Sequence, residues 1–287
     1  MTAETPFAQV IGDPIAQSKS PVIHGFWLEN LGLEASYSKA RVEPAALATY
    51  LDAGRELPGW RGCNVTMPHK QVIMTHLDSL DPLAERIGAV NTVVKQEDGS
   101  LRGYNTDVSG FLEPLTAMLA DKHLFRMARI LGTGGAARAI IAGLSDHGMV
   151  LVLAGRNPQK ARSLLKELAA QGDHHVTTLE HFSAPTEFEF DDREGCLDIV
   201  VNASPLGMRG QPPLAFDFSH APPGSIVYDI VTDPIETDFL KRACDAGFAT
   251  IDGYSMLIGQ AAAAFELFFG KAPPREHDAE LRERLMT

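Results

Sequence analysis

The sequence has little that would cross-link it, anchor it or draw it to nucleic acid. Its 287 residues include three cysteines, Cys63, Cys196 and Cys244, which are far apart and form no Cys-x-x-Cys or Cys/His spacing. Neither a disulfide framework nor a zinc site is indicated, and no metal is expected. No window approaches the ~20 apolar residues of a membrane span. The opening residues, MTAETPFAQVIGDP, carry no basic n-region and no long apolar stretch, so the expected location is the cytoplasm. Positive charge is in deficit. Lys plus Arg number 25 against 37 Asp plus Glu, a formal charge of −12, which is a poor basis for general nucleic-acid binding but leaves room for a local basic pocket for a small anion. No repeat of solenoid period is present. What is abundant is apolar residues, 45% of the chain, in a length that suits one large or two ordinary domains.

The first hundred residues alternate strand-like and helix-like segments. AQVIG reads as a strand, Pro21 opens an amphipathic helix that Gly32 closes, ASYSKARV alternates as a strand, and PAALATYLDAG reads as a helix. WRGCNVT is strand-like, with a helix expected to open near Pro68. VNTVVKQEDGSLRGYN reads as a hairpin turning at Asp98-Gly99. From RMARILGTGGAARAIIAGL onward, short apolar strands (MVLVLAGRN, CLDIVVNAS, GSIVYDIV, FATIDG) are separated by helix or loop. Asn157 and Pro158 form a helix start, N-cap followed by proline at the first helical position. The acidic TEFEFDDREG is expected as a solvated loop, and the apolar MLIGQAAAAFELFFG as a last helix packing back on the first unit. The pattern is α/β, an N-terminal α/β unit followed by a doubly wound parallel sheet.

LGTGGAA supplies Gly132, Gly134 and Ala137, a G-x-G-x-x-A run between a strand and a helix, the context in which it binds a dinucleotide. Gly132 allows the tight turn, Gly134 lets backbone approach a pyrophosphate, and the helix N-terminus supplies N–H groups and partial positive charge. An NAD site carries an acid at the end of the second strand. Here LAGRNPQK has none. Arg156 and Lys160 suit a 2′-phosphate instead, which favours NADP.

In the first unit, GCNVTMPHKQ contains Lys70, which by itself reads as a solvated surface cation. SKSPVIHG places Ser18 and Ser20 ahead of a helix, where a Ser is ordinarily a cap. NVTMPHK adds Asn64 and Thr66; GAVNTVV and GYNTDVSGF add Asn91, Asn105, Thr106 and Asp107. Each cluster is ordinary alone; their combination upstream of a dinucleotide loop is specific. His24 reads as a helix-packing residue.

Through VIGDPIAQSKSP, NVTMPHK, GAVNT, NTD, GTGGAARA, VNASPLGM, YDIVTDP and DGYSMLIGQA, in order over nearly the whole chain, the sequence resembles the shikimate dehydrogenase family. The resemblance implies two domains facing each other across a cleft. Residues 1–107, completed by about 254–287, would bind substrate, and residues 108–253 would form a Rossmann-type NADP domain. It implies reversible NADP-dependent reduction of 3-dehydroshikimate to shikimate, a step toward chorismate and the aromatic amino acids, by a monomer or homodimer with no nucleic-acid or membrane partner. Carried over by motif, Lys70 and Asp107 are the catalytic pair. Ser18, Ser20, Thr66, Asn91 and Gln260 contact substrate. Gly132, Gly134, Gly135, Ala136, Arg156, Lys160, Met208 and Gly253 hold the cofactor. Two departures stand out. Thr232 occupies the place of the family's second tyrosine in Y-D-x-x-Y-x-P, which leaves room for quinate or a modified shikimate as alternative substrate. Gly155-Arg156-Asn157 replaces the usual Asn-Arg-Thr, which makes NAD use conceivable. A protein that binds the nucleotide without turnover is opposed by the intact Lys70 and Asp107.

Overall fold

The computed structural model describes residues 5–190 and 193–287. The chain divides into two units, one running to Asp107 and resuming at Ile258–Thr287, the other Val108–Leu257.

The first unit holds β1 (Phe7–Gly12), α1 (Ser20–Asn30), β2 (Ser36–Arg41), α2 (Leu47–Glu56), β3 (Trp60–Val65), β4 (Ser79–Leu80), α3 (Pro82–Ile87), β5 (Thr92–Lys95) and β6 (Leu101–Tyr104). The strands form one sheet in the order β2-β1-β3-β5-β6-β4. β1, β2 and β3 run parallel, and β5 is antiparallel to both β3 and β6, so the sheet is mixed. The β5–β6 connection is the hairpin expected at Asp98-Gly99, with Gly99 at φ +84° and the Gln96 N–H bonded to the Ser100 carbonyl at 2.8 Å. Ile11, Leu47, Leu51, Trp60, Cys63, Ile73 and Val93 build the core on one side. Trp27 of α1 packs against Phe265, and Tyr37 of β2 lies 6.4 Å from the Phe268 ring.

No α-helix opens at Pro68. Residues Val72–His76 form a single 3₁₀ segment. One α-type bond forms, Ile73 N–H to His69 O at 3.0 Å, and the next carbonyl along is taken from outside the segment. Lys70 O accepts the Val90 N–H at 2.7 Å, and Met74 N–H turns to Gln71 O at 3.3 Å, an i→i+3 bond.

The second unit holds α4 (Asp107–Leu112, its first residue belonging to the other unit), α5 (Thr116–Ala120), β7 (Phe125–Leu131), α6 (Gly135–Asp146), β8 (Val150–Ala154), α7 (Pro158–Leu168), β9 (His175–Thr177), α8 (Leu179–Ser183), β10 (Cys196–Asn202), β11 (Ile226–Asp229), α9 (Asp238–Asp245) and β12 (Ala249–Ile251). All six strands are parallel, in the order β12-β11-β10-β7-β8-β9. Neighbouring residues of one strand enter different cores: Ile130, Leu153 and Ile199 one, Leu131, Ala154 and Val200 the other. This is why the strands read as near-continuous apolar runs; a parallel sheet is covered on both faces. Ala137, Ile140, Ile141 and Leu144 of α6, and Ala161, Leu164, Leu165 and Leu168 of α7, recur at i, i+3, i+4, i+7 and are buried in the first of these cores. Each such Leu or Ile contributes about 1.5–3 kcal/mol by burial.

α7 starts as expected, the Asn157 side chain accepting from the Gln159 and Lys160 N–H groups. The expected TEFEFDDREG loop lies partly outside the described residues, at positions 191–192; within the described part Phe188 is exposed and Phe190 half-buried, with no helix or strand. The last helices are α10 (Gly253–Phe269), inside which the unit boundary falls, and α11 (Asp278–Met286). Among the described residues, no helix is long and apolar enough to cross a membrane.

Candidate active site

Lys70 and Asp107 stand 37 positions apart in sequence and meet within the first unit. Lys70 ends a turn tied to the sheet on both sides. Thr66 N–H bonds Ile11 O at 2.9 Å, and Val90 N–H bonds Lys70 O at 2.7 Å. Asp107 is placed by its neighbour Asn105, whose Oδ1 accepts the Asp107 N–H at 3.0 Å while its Nδ2 donates to Ala89 O at 2.9 Å. Lys70 Nζ then lies 2.6 Å from Asp107 Oδ2, with the side chains 19% and 6% exposed.

Asn91 determines what each Asp107 oxygen can do. Its Oδ1 accepts the Thr106 backbone N–H at 2.8 Å, so its Nδ2 is turned to Asp107 Oδ1, 2.9 Å away. Flipping the amide would set donor against donor and oxygen against carboxylate. Oδ1 is therefore held as an acceptor, and Oδ2 is the oxygen that faces Lys70. Asn91 Nδ2 also lies 2.9 Å from Thr106 Oγ1 and 3.4 Å from Gln260 Oε1, which brings Gln260 into the same cluster. A lysine held by a carboxylate in this way can be aimed at an oxygen acquiring negative charge.

Ser18 and Ser20 pair with each other, hydroxyl to hydroxyl at 3.3 Å, at the start of α1, and Ser20 sits against the Tyr37 phenol. Thr66 is half-buried beside Gly12, where an added Cβ would lie 2.5 Å from the Thr66 methyl. Sequence reasoning missed Tyr37 and Thr92. Burial pushes the Tyr37 phenol well above its ordinary value, so it stays protonated and donates to Asn64 Oδ1 at 2.6 Å. Asn64 Nδ2 donates to Thr92 Oγ1 at 3.0 Å, and Thr92 Oγ1 to Asn91 Oδ1 at 3.0 Å. These donors form a directed chain ending behind Asn91. Its one signal in the sequence is polar residues at positions that a strand would bury.

In the second unit the glycine loop forms the wall of a cavity of about 350 Å³, lined also by Thr133, Gly155, Arg156, Lys160, Ser204 and Leu206. Gly132 has φ +129°, and a Cβ there would lie 2.6 Å from Ala203 O, so no other residue fits. At Gly134, the N-cap of α6, an added Cβ would meet nothing within 4 Å; the space is open for a ligand at the helix N-terminus. Gly135 and Ala136 begin that helix. Arg156 and Lys160 are exposed, and neither side chain pairs with a described residue, which leaves two uncompensated cations at the end of β8 where an NAD site would carry an acid. These features fit a 2′-phosphorylated dinucleotide. Gly155, where the family pattern has asparagine, has its own cause: a Cβ would lie 2.7 Å from the Thr133 methyl. Met208 and Gly253 do not line this cavity. Gly253 begins α10 with its Cβ direction blocked by Val231 O at 2.2 Å, a packing demand. Thr232 is half-buried, three residues beyond β11.

Comparison with known proteins places these features in context. The family described as the shikimate dehydrogenase substrate binding domain matches residues 10–93, and that described as the shikimate 5'-dehydrogenase C-terminal domain matches residues 253–280. The chain is 49% identical over 285 residues to the shikimate dehydrogenase (NADP(+)) of Sphingopyxis alaskensis, covering 99% of this chain and 98% of that protein. Among solved structures it is similar to shikimate 5-dehydrogenase from Thermus thermophilus in complex with NADP(H) and shikimate (36% identity, TM-score 0.79, 98% of this chain and 100% of that one). It is also similar to quinate dehydrogenase from Corynebacterium glutamicum in complex with NAD (31% identity, TM-score 0.83, 98% and 99%).

Proposed function

The chain belongs to the shikimate dehydrogenase family, and we propose on that footing that it catalyses the reversible NADP-dependent reduction of 3-dehydroshikimate to shikimate. It is an oxidoreductase, and its cofactor is NADP. The observation that carries the reading of the site is the 2.6 Å contact between Lys70 Nζ and Asp107 Oδ2 with Asn91 on the other carboxylate oxygen.

NADPH, when bound, supplies the hydride. The residues of the chain supply the proton and hold the partners. As the ketone is reduced its oxygen becomes an alkoxide, and Lys70 stabilises that charge and donates a proton from Nζ. Asp107 Oδ2 keeps the ammonium in place and shares its proton, while Asn91 prevents the carboxylate from turning. In the direction of oxidation the same pair accepts the alcohol's proton. Ser18, Ser20, Thr66 and Gln260 are hydrogen-bonding partners for the substrate's carboxylate and hydroxyls. Gly132 and Gly134 seat the pyrophosphate at the start of α6, and Arg156 and Lys160 take the 2′-phosphate. Met208 and Gly253 are assigned to the cofactor by motif alone. Residues 1–107 with 254–287 act as the substrate-binding part and 108–253 as the cofactor-binding part, in a cytoplasmic monomer or homodimer.

Steady-state rates with shikimate and quinate, each against NADP and NAD, test the reading. The highest kcat/KM is expected for shikimate with NADP. A lack of turnover at saturating shikimate and NADP, or a preference for quinate with NAD, overturns it.

A further inference from the structure

Behind the Ala203–Leu206 wall of the nucleotide cavity lies a buried polar cluster with no part in the chemistry above. Asn202, at the end of β10, and Asp229, at the end of β11, are both fully buried. The Asn202 amide uses all of its hydrogen-bonding capacity. Nδ2 donates to Leu206 O at 2.9 Å and to Asp229 Oδ1 at 3.0 Å. Oδ1 accepts from Ser204 N at 3.1 Å and Ser204 Oγ at 2.7 Å. Ser204 Oγ in turn accepts the Leu206 N–H at 3.2 Å. Every bond from Asn202 toward the loop lands on a residue that lines the cavity. On the far side Asp229 Oδ1 also accepts the Val231 N–H at 3.0 Å, and Oδ2 accepts the hydroxyl of buried Thr237 at 2.7 Å. No cation among the described residues pairs with this carboxylate. Burial pushes its pKa up to about 6 although Thr237, Val231 and Asn202 all favour the ionised form. An unpaired carboxylate is costly to bury, so a side chain with fewer acceptor sites would be the cheaper choice unless three donors need one anchor.

We infer that Asp229, acting through Asn202, is a positioning residue for the cofactor: it holds the Ala203–Leu206 segment against the Gly132 turn and thereby sets the affinity for NADP without touching it. The spacing at the turn shows why the segment must not move. Ala203 N–H bonds Leu131 O at 2.9 Å, and Ala203 O lies only 2.6 Å from where a Gly132 Cβ would be. A shift of the loop by a few tenths of an ångström alters the cavity mouth directly. The inference rests on the reading of this cavity as the NADP site.

Fluorescence titration of NADP, with no substrate present, tests both and separates them. Failure of the wild type to bind NADP removes the reading of the cavity. With wild-type binding in hand, Asp229→Ala is expected to raise the NADP Kd about ten-fold, the effect of one lost hydrogen bond to a buried group. Asp229→Asn, which keeps an oxygen for Asn202 and Val231, is expected within about three-fold of wild type, a rescue by the conservative variant. The Kd for shikimate alone should be unchanged in both. An Asp229→Ala protein that binds NADP as wild type does, or one whose shikimate and NADP affinities fall together, overturns the inference. Should Asp229→Ala not fold, Ser204→Ala removes the Ser204 hydroxyl, one of the three bonds by which Asn202 holds the loop, together with the bond that hydroxyl accepts from Leu206 N–H. It must raise the NADP Kd by at least about three-fold, with Ser204→Thr restoring it, and an unchanged Kd overturns the inference.

Discussion

Replacing His24 with phenylalanine isolates a term in stability that depends on pH and on nothing else in the substitution. His24 is fully buried in the first unit, its ring stacked on Tyr37 at 3.9 Å and 5.8 Å from both Trp27 and Phe265. Neither ring nitrogen has a hydrogen-bond partner among the described residues, and burial lowers its pKa from 6.5 to about 3. The imidazole is thus neutral in the folded protein across the working range, while in the unfolded chain it takes a proton below about 6.5. The unfolded state binds more protons between those two values, so stability falls as pH falls through that window, by about 1.4 kcal/mol per unit once well inside it. Between pH 7 and pH 5 the loss is about 2 kcal/mol. Phenylalanine cannot titrate. Whatever its extra volume costs in packing is the same at both pH values and cancels in the comparison. Urea denaturation of both proteins, without ligands, should show the variant gaining about 2 kcal/mol on the wild type when the pH is lowered from 7 to 5. The two tryptophans, Trp27 and Trp60, both lie in the first unit, so their fluorescence reports on the part that contains His24. A difference between variant and wild type that stays constant with pH to within about 0.5 kcal/mol refutes the reasoning, because it means that the buried ring accepts its proton where it sits.

Three other outcomes follow from the same geometry. Lys70→Ala should lower kcat by about 10²–10⁴-fold, the usual contribution of a general acid, with the NADP Kd unchanged; an equal loss in both would place Lys70 outside the proton transfer. Arg156→Ala should raise the KM for NADP about ten-fold or more, as expected for a lost charge-assisted contact, and leave the KM for NAD as it was; Lys160→Ala should act in the same direction. Gly155→Ala puts a Cβ 2.7 Å from the Thr133 methyl and should cost about 1–3 kcal/mol in thermal or urea melts, with Thr133→Ser in the same chain recovering most of it. If the double variant is no better than Gly155→Ala, the crowding lies elsewhere.

Local chemistry made much of the fold legible. The alternation of ASYSKARV, the Asp98-Gly99 turn and the Asn157-Pro158 helix start each act within a few residues, and each element formed where its pattern stands. The glycine loop was legible for the same reason: φ +129° at Gly132 is a demand that one residue type meets. The segment after Pro68 was misread because its outcome depends on Val90, twenty positions on, taking the Lys70 carbonyl. Pairing Lys70 with Asp107 came from resemblance to a family and from no rule of spacing.

The sequence by itself determined the class of fold, the elements whose period or caps stand out (such as β2, the β5–β6 hairpin and the start of α7), the glycine turn and the cations beside it, since these follow from backbone preferences, hydrophobic period and charge over short stretches. Only the tertiary structure decided which polar groups meet. Asn64 reaches Thr92 because the antiparallel register of β3 and β5 sets those two residues directly opposite one another, and Asn202 reaches Asp229 because the parallel register of β10 and β11 does the same. A hydrogen bond needs atoms within about 3 Å, and no property of either residue alone carries the register that supplies that distance.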